Sequence, residues 1–127
     1  METVLIVDSR TRGKNLRSLL VVAGYRVEFA HVNSDLTAIV RSDSPSAVML
    51  AWPSGKPFPQ TACIAIRRGS PDIPVIVLGP RTESSAKVRL FELGADDYLE
   101  EPFDDRELVA RLRSLIRRAK SSAKTSH

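Results

Sequence analysis

Short apolar runs recur along this chain, each separated from the next by room for about one helix. Val4–Val7, Ser46–Ala51, Val75–Leu78 and the brief Tyr98-Leu99 are continuous and short, the pattern of strands buried on both faces. Thr3–Asp8 reads as the first strand, β-branched and ending in polar residues, and Tyr25–Ala30 alternates like a half-exposed one. Between them, Arg10–Ala23 carries Leu16, Leu19, Leu20 and Ala23 at helical spacing, with Gly24 as its stop. Asp35–Arg41 forms a short helix closed by Ser42-Asp-Ser-Pro45, and Gln60–Arg68 another before the Gly69–Pro74 turn. Thr82 is the expected N-cap of a helix reaching Leu93 and ended by Gly94. Asp104-Asp-Arg-Glu107 opens the last helix as a capping-box variant, with Leu108, Leu112 and Leu115 on one face. Strands alternating with helices imply βαβ units, hence α/β: a five-stranded, parallel, doubly wound sheet flanked by five helices. The domain is expected over residues 1–119, with 120–127 a polar basic tail or the start of a linker, frayed from Ser121.

A chain of 127 residues, 43% hydrophobic and 27% charged, suits one soluble globular domain. No apolar run approaches the ~18 residues that span a membrane, and the opening Met-Glu-Thr-Val lacks a basic signal-peptide head. A single cysteine, Cys63, fits a reducing cytoplasm and, far from His31 and His127, reads as packing. The net charge of +4 is local: residues 111–127 hold six Lys or Arg and no acid, which leaves the other 110 residues slightly acidic. A polybasic end can attract nucleic acid or an acidic partner, and can equally be the solvated face of a terminal helix.

Leu93-Gly-Ala-Asp-Asp-Tyr-Leu-Glu-Glu-Pro-Phe103 resembles the Gly-Ala-Asp-Asp-Tyr-Leu…Lys-Pro-Phe run of bacterial response-regulator receiver domains. Leu5-Ile-Val-Asp8 resembles that family's first strand and Ile73–Leu78 its fourth, so the likeness covers residues 2–119. The resemblance implies two-component signalling, in which a phosphoryl group passes to an Asp ending the third strand. It also implies two acids after strand one that help hold Mg²⁺, a hydroxyl after strand four, and a Lys after strand five.

Placed on this sequence, the first acid is Asp8, but the second falls on Ser9, the acceptor on Ala51, the hydroxyl on Gly79 and the lysine on Glu101. Four of the five groups are replaced. Too few carboxylates remain to dehydrate Mg²⁺, so neither metal nor cofactor is expected, and Glu101 repels a phosphoryl dianion. No Asp or Glu occurs from 44 to 71, so a shifted register supplies no substitute acceptor. The expectation is a degenerate, non-enzymatic pseudo-receiver acting through its surface. Two alternatives stay open: a phosphoacceptor of another type such as Ser54, or a ligand sensor built on Trp52 and the vacated pocket. Asp8 and Glu101 are expected to face each other there, with Arg10 or Arg81 either reaching between them or pointing to water.

The resemblance is nearest to receivers of winged-helix transcription factors, which pair through the fourth helix, fifth strand and fifth helix. Matching positions are Val88, Phe91 and Ala110 for an apolar patch. Lys87 with Glu107, Glu92 with Arg113, Asp97 with Arg111, and Asp96 with Arg118 supply opposite charges for ion pairs about a twofold axis. A homodimer, other signalling proteins as partners, no membrane, and DNA contact only through a domain outside these residues complete the expectation.

Overall fold

A computed structural model describes residues 1–8 and 13–125. Five strands, β1 (Thr3–Asp8), β2 (Arg26–His31), β3 (Ala47–Ala51), β4 (Val75–Gly79) and β5 (Asp97–Glu100), form one parallel sheet in the order β2-β1-β3-β4-β5. The helices are α1 (Gly13–Val22), α2 (Leu36–Asp43), α3 (Gln60–Gly69), α4 (Ser84–Glu92) and α5 (Asp105–Thr125). Parallel pairing follows from the sequence: β1, β3 and β4 are apolar on both faces, so each face needs a helical cover.

Two cores result. On one face Leu36, Val40, Cys63, Ile66 and Leu90 from α2, α3 and α4 pack on Leu5, Val7, Leu50 and Val77. On the other, Leu20 of α1 and Leu108, Leu112 and Ile116 of α5 pack on Val4, Ile6, Met49 and Leu78. Cys63 is 3% exposed and burial pushes its thiol up to about 11, against the lowering pull of Arg67. It packs, as the sequence suggests.

Three expected boundaries move. Thr82 does not cap α4: the helix starts at Ser84, with Glu83 at the N-cap in extended backbone and making no side-chain cap bond. Thr82 therefore stands one residue outside the cap position, too early for its hydroxyl to serve the first turn. Only one arm of the α5 capping box forms, Asp104 Oδ1 accepting from the Arg106 amide at 2.7 Å, because Glu107 turns to Arg111. The tail expected to fray from Ser121 continues α5 to Thr125. No Gly or Pro stops it, and Lys120 is tied to Glu2 at 2.8 Å.

Arg67 joins α3 to the loop after α4. Its guanidinium donates to the carbonyls of Gly94, Ser70, Pro71 and Ile73 and to Asp96, whose carboxylate also accepts from the Val75 amide. Gly94 closes α4 at φ +110°, and a β-carbon there would fall 2.6 Å from Arg67 Nε.

Candidate functional site

The strand order reverses between β1 and β3, so their carboxyl ends frame the crevice where doubly wound folds bind ligands. Asp8 ends β1 at 5% exposure, and Ala51 ends β3 one step beyond the Val7–Leu50 pair. Together with Glu101 they line an open depression of about 670 Å³, walled by Leu16, Leu78 and Phe103. Asp8 lies at its buried floor, whereas Glu101 sits on the exposed rim with its amide on the Gly79 carbonyl at 2.8 Å. Hydration of Glu101 thus softens the expected opposition of the two carboxylates.

Of the two candidate arginines, Arg81 does not reach inward. Its side chain is 92% exposed and lies 4.0 Å from Glu100, not Glu101, because full hydration outweighs insertion beside one rim carboxylate. Ser9 and Arg10 lie outside the described residues. Among the described residues no group of three His, Cys, Asp or Glu is placed to hold a metal ion. Asp8 on the floor with Glu101 and Asp105 exposed at the rim do not converge as a metal-holding group, and Ala51 adds no oxygen, a poor donor set for octahedral Mg²⁺; no step is derived through that ion.

The corner at β4 is filled differently. A β-carbon on Gly79 would overlap the Tyr98 hydroxyl and lie 3.0 Å from its Cζ and 3.2 Å from Trp52 Cε3. Tyr98 of β5 is 8% exposed, donates to the Pro80 carbonyl at 2.5 Å, and stands edge-on to Trp52 at 6.4 Å. Burial, then Glu100 and Glu101, pushes its phenol up to about 12. This tyrosine was visible in the sequence only as part of the resemblance; its role depends on the missing side chain at 79.

Trp52 is half-buried, its indole N–H bonded to the Lys56 carbonyl at 2.9 Å and its ring edge-on to Phe58 at 5.5 Å. A second cavity of about 510 Å³ lies beside it, lined by Trp52, Phe58, Leu36, Lys56 and Thr61, and Ala51 borders both spaces. Ser54 is exposed on the turn after Trp52 and lines neither.

On the β5 edge, α4 and α5 flank the strand from opposite faces of the sheet. Val88 and Phe91 are 53% and 44% exposed, and Ala110 is exposed on α5. Arg111 meets Asp97 at 2.9 Å within the chain, and that bond holds its guanidinium more firmly protonated. Lys87 bonds Glu100, holding that carboxyl below its usual range, and lies 5.3 Å over the Tyr98 ring. Asp96 is taken by Arg67, and Arg113 donates to the Ala23 carbonyl at 3.2 Å. Glu92 and Arg118 are exposed.

The family model for the response regulator receiver domain matches residues 4–113. This chain belongs to the response regulator receiver family. The receiver is 36% identical over 120 residues to response regulator MprA of Mycobacterium avium (strain 104), covering 94% of this chain and 53% of that protein. It is 37% identical over 118 residues to MprA of Mycobacterium tuberculosis (strain ATCC 25618 / H37Rv), covering 92% and 51%. The chain thus spans about half the length of these relatives. In fold it is similar to NtrX from Brucella abortus (TM-score 0.84, 23% identity, 99% of this chain and 29% of that one). A CheY-like receiver domain protein from Methanospirillum hungatei JF-1 superposes with TM-score 0.80 at 18% identity, covering 96% and 98%. The receiver is therefore a module of two-component signalling. No helix among the described residues is long and apolar enough to cross a membrane.

Proposed function

We propose that this receiver is degenerate: it takes up no phosphoryl group at the end of β3 and signals by protein–protein contact, without phosphorylation. The observation that carries the reading is Ala51, a methyl group on the wall between buried Asp8 and the acidic rim of Glu101. Phosphoryl transfer to a carboxylate needs an oxygen nucleophile, and charge neutralisation of the incoming dianion. The methyl supplies no nucleophile, Glu101 adds negative charge, and the Tyr98 phenol fills the space beside Gly79.

The face through which it acts is α4–β5–α5, where Val88, Phe91 and Ala110 are exposed between charged neighbours. We assign it homodimerisation in the cytoplasm, with other signalling proteins as further partners. Control of a DNA-binding domain would run through sequence outside this chain, since the relatives are about twice as long. The pocket test is incubation with acetyl phosphate and Mg²⁺, read by intact mass. No adduct is expected; a gain of roughly 80 Da, one phosphoryl group, would sink the reading, and its site would decide whether Ser54 is the acceptor.

A second reading, a ligand sensor, draws on the roughly 510 Å³ cavity at Trp52, which lies in the size range of small-molecule sites. A thermal-shift screen tests it: at ~100 times its dissociation constant a ligand adds ~2.7 kcal/mol, and a true occupant also changes Trp52 fluorescence.

A further inference from the structure

We infer that the cavity beside Trp52 is built for a small planar aromatic acid, with Lys56 as the counter-charge at its mouth. The inference deepens the ligand-sensor reading above and rests on it: that reading asks only for an occupant, whereas the lining residues select a chemical class.

The cavity, of about 510 Å³, lies between α2, α3 and the loop that joins β3 to α3. Its walls are already fixed to one another. The Thr37 hydroxyl of α2 donates to the Ala65 carbonyl of α3 at 2.8 Å, and Arg41 of α2 donates to the Arg68 carbonyl at 3.3 Å. The loop is closed on itself by the Trp52 indole N–H on the Lys56 carbonyl at 2.9 Å. An occupant would therefore spend little binding energy on ordering its site. Three features choose the class. Trp52 and Phe58 both line the cavity with ring planes 76° apart, so a flat ring that stacks on one meets the other edge-on. Among the described residues that line the cavity, Lys56 alone is charged, and it is exposed. Asp35, between the lining residues Ser34 and Leu36, is turned instead to the Ala38 amide at 3.1 Å, where it caps α2. Thr61 and Ala62 line the cavity from the first turn of α3, and Pro59 at the N-cap has no side-chain oxygen to give that turn. That wall is partly positive. One cation and one partly positive wall match a single negative charge. A polyanion would find too little to neutralise it, and a cation would meet Lys56.

The test uses the full chain, whose single tryptophan gives one indole N–H resonance, that of Trp52. Three probes share a ring system and differ in charge: 2-naphthoate, 2-naphthamide and 2-naphthylmethylammonium. Titrations followed at that resonance should show naphthoate binding about tenfold more tightly than the amide, with the ammonium weakest. Lys56→Gln keeps the backbone carbonyl that holds Trp52, and should cut the preference for naphthoate over the amide about threefold or more. Ala65→Leu sets a larger side chain against the cavity and should remove binding of all three probes. Should that variant not fold, Thr61→Phe, at an exposed lining position, serves in its place. Naphthoate bound no more tightly than the amide, or a preference untouched by Lys56→Gln, would overturn the assigned class and leave a sensor of another ligand standing. Binding that survives the cavity-filling change would place the probes elsewhere and sink the site. If no probe moves the Trp52 resonance, the inference fails, and the broader thermal-shift screen decides separately whether the cavity takes any ligand.

Discussion

Restoring a carboxylate by Ala51→Asp should weaken the fold without restoring phosphorylation. Asp8 and position 51 end adjacent parallel strands, one step past the Val7–Leu50 pair, so their side chains emerge on the same side about 5–6 Å apart. Two unit charges roughly 6 Å apart repel by about 0.7 kcal/mol in water and about 2.8 kcal/mol at an effective dielectric near 20. Position 51 is half-buried beside the buried Asp8, so a loss of about 1–2 kcal/mol at pH 7 is expected. The pH dependence carries the sign. Crowding makes the introduced carboxyl hold its proton in the folded state to higher pH than in the unfolded chain. Below roughly pH 4 both states are protonated and the penalty is absent; as pH rises the unfolded chain ionises first and stability falls. Urea unfolding of the two proteins at pH 3.5, 5 and 7 should show midpoints diverging as pH rises. Adding Ser9→Asp and Glu101→Lys should then recover Mg²⁺ binding before signalling. A single variant that matches the parent at every pH, or that binds Mg²⁺ tightly and gains a phosphoryl group, would refute the reasoning.

Arg67→Ala removes a fork bonded to four carbonyls and Asp96, and should lower stability by about 2–4 kcal/mol in denaturant titration; Arg67→Lys, lacking the fork, should recover only a minor part. Gly94→Ala places a β-carbon at φ +110° against the same guanidinium and should cost about 1–3 kcal/mol by the same measurement. Because the Tyr98 phenol is pushed up to about 12, the unfolded chain ionises near pH 10 while the folded one resists. Stability should therefore fall between about pH 10 and 12, by roughly 1–2 kcal/mol after allowance for solvent near the hydroxyl, and Tyr98→Phe should flatten that slope.

The sheet was legible because three strands are apolar on both faces and the segments between them repeat at helical spacing. The pocket positions were legible only through the resemblance, which placed Asp8, Ala51 and Glu101 around what is one depression. Helix starts were less so: Thr82 and Ser84 are both capable caps, yet the N-cap position falls on Glu83 between them, which makes no side-chain cap bond. α5 runs past Ser121 because no Gly or Pro stops it, and the Lys120–Glu2 contact across the chain, which no local pattern displays, adds to its hold. The same holds for Arg67, whose partners span residues 70 to 96, and for the phenol at Gly79, where the decisive fact is the absence of atoms.

The charge pattern on the β5 side bears on what pairing of two copies could rest on. Lys87 and Asp96 already have partners within the chain, and Asp97–Arg111 closes within it as well. An ion-pair network between copies would exchange these contacts rather than add to them, and exposed pairs are each worth only ~0–1 kcal/mol. The charges are therefore suited to setting register and excluding mismatched partners. Apolar affinity between copies would come from Val88, Phe91 and Ala110, only three residues a side where stable interfaces bury roughly 1,200–2,000 Å² in total. A receiver alone would then pair weakly. Joined to a further domain that also pairs, the same patch would act at an effective concentration set by the connection between them, where weak contacts suffice.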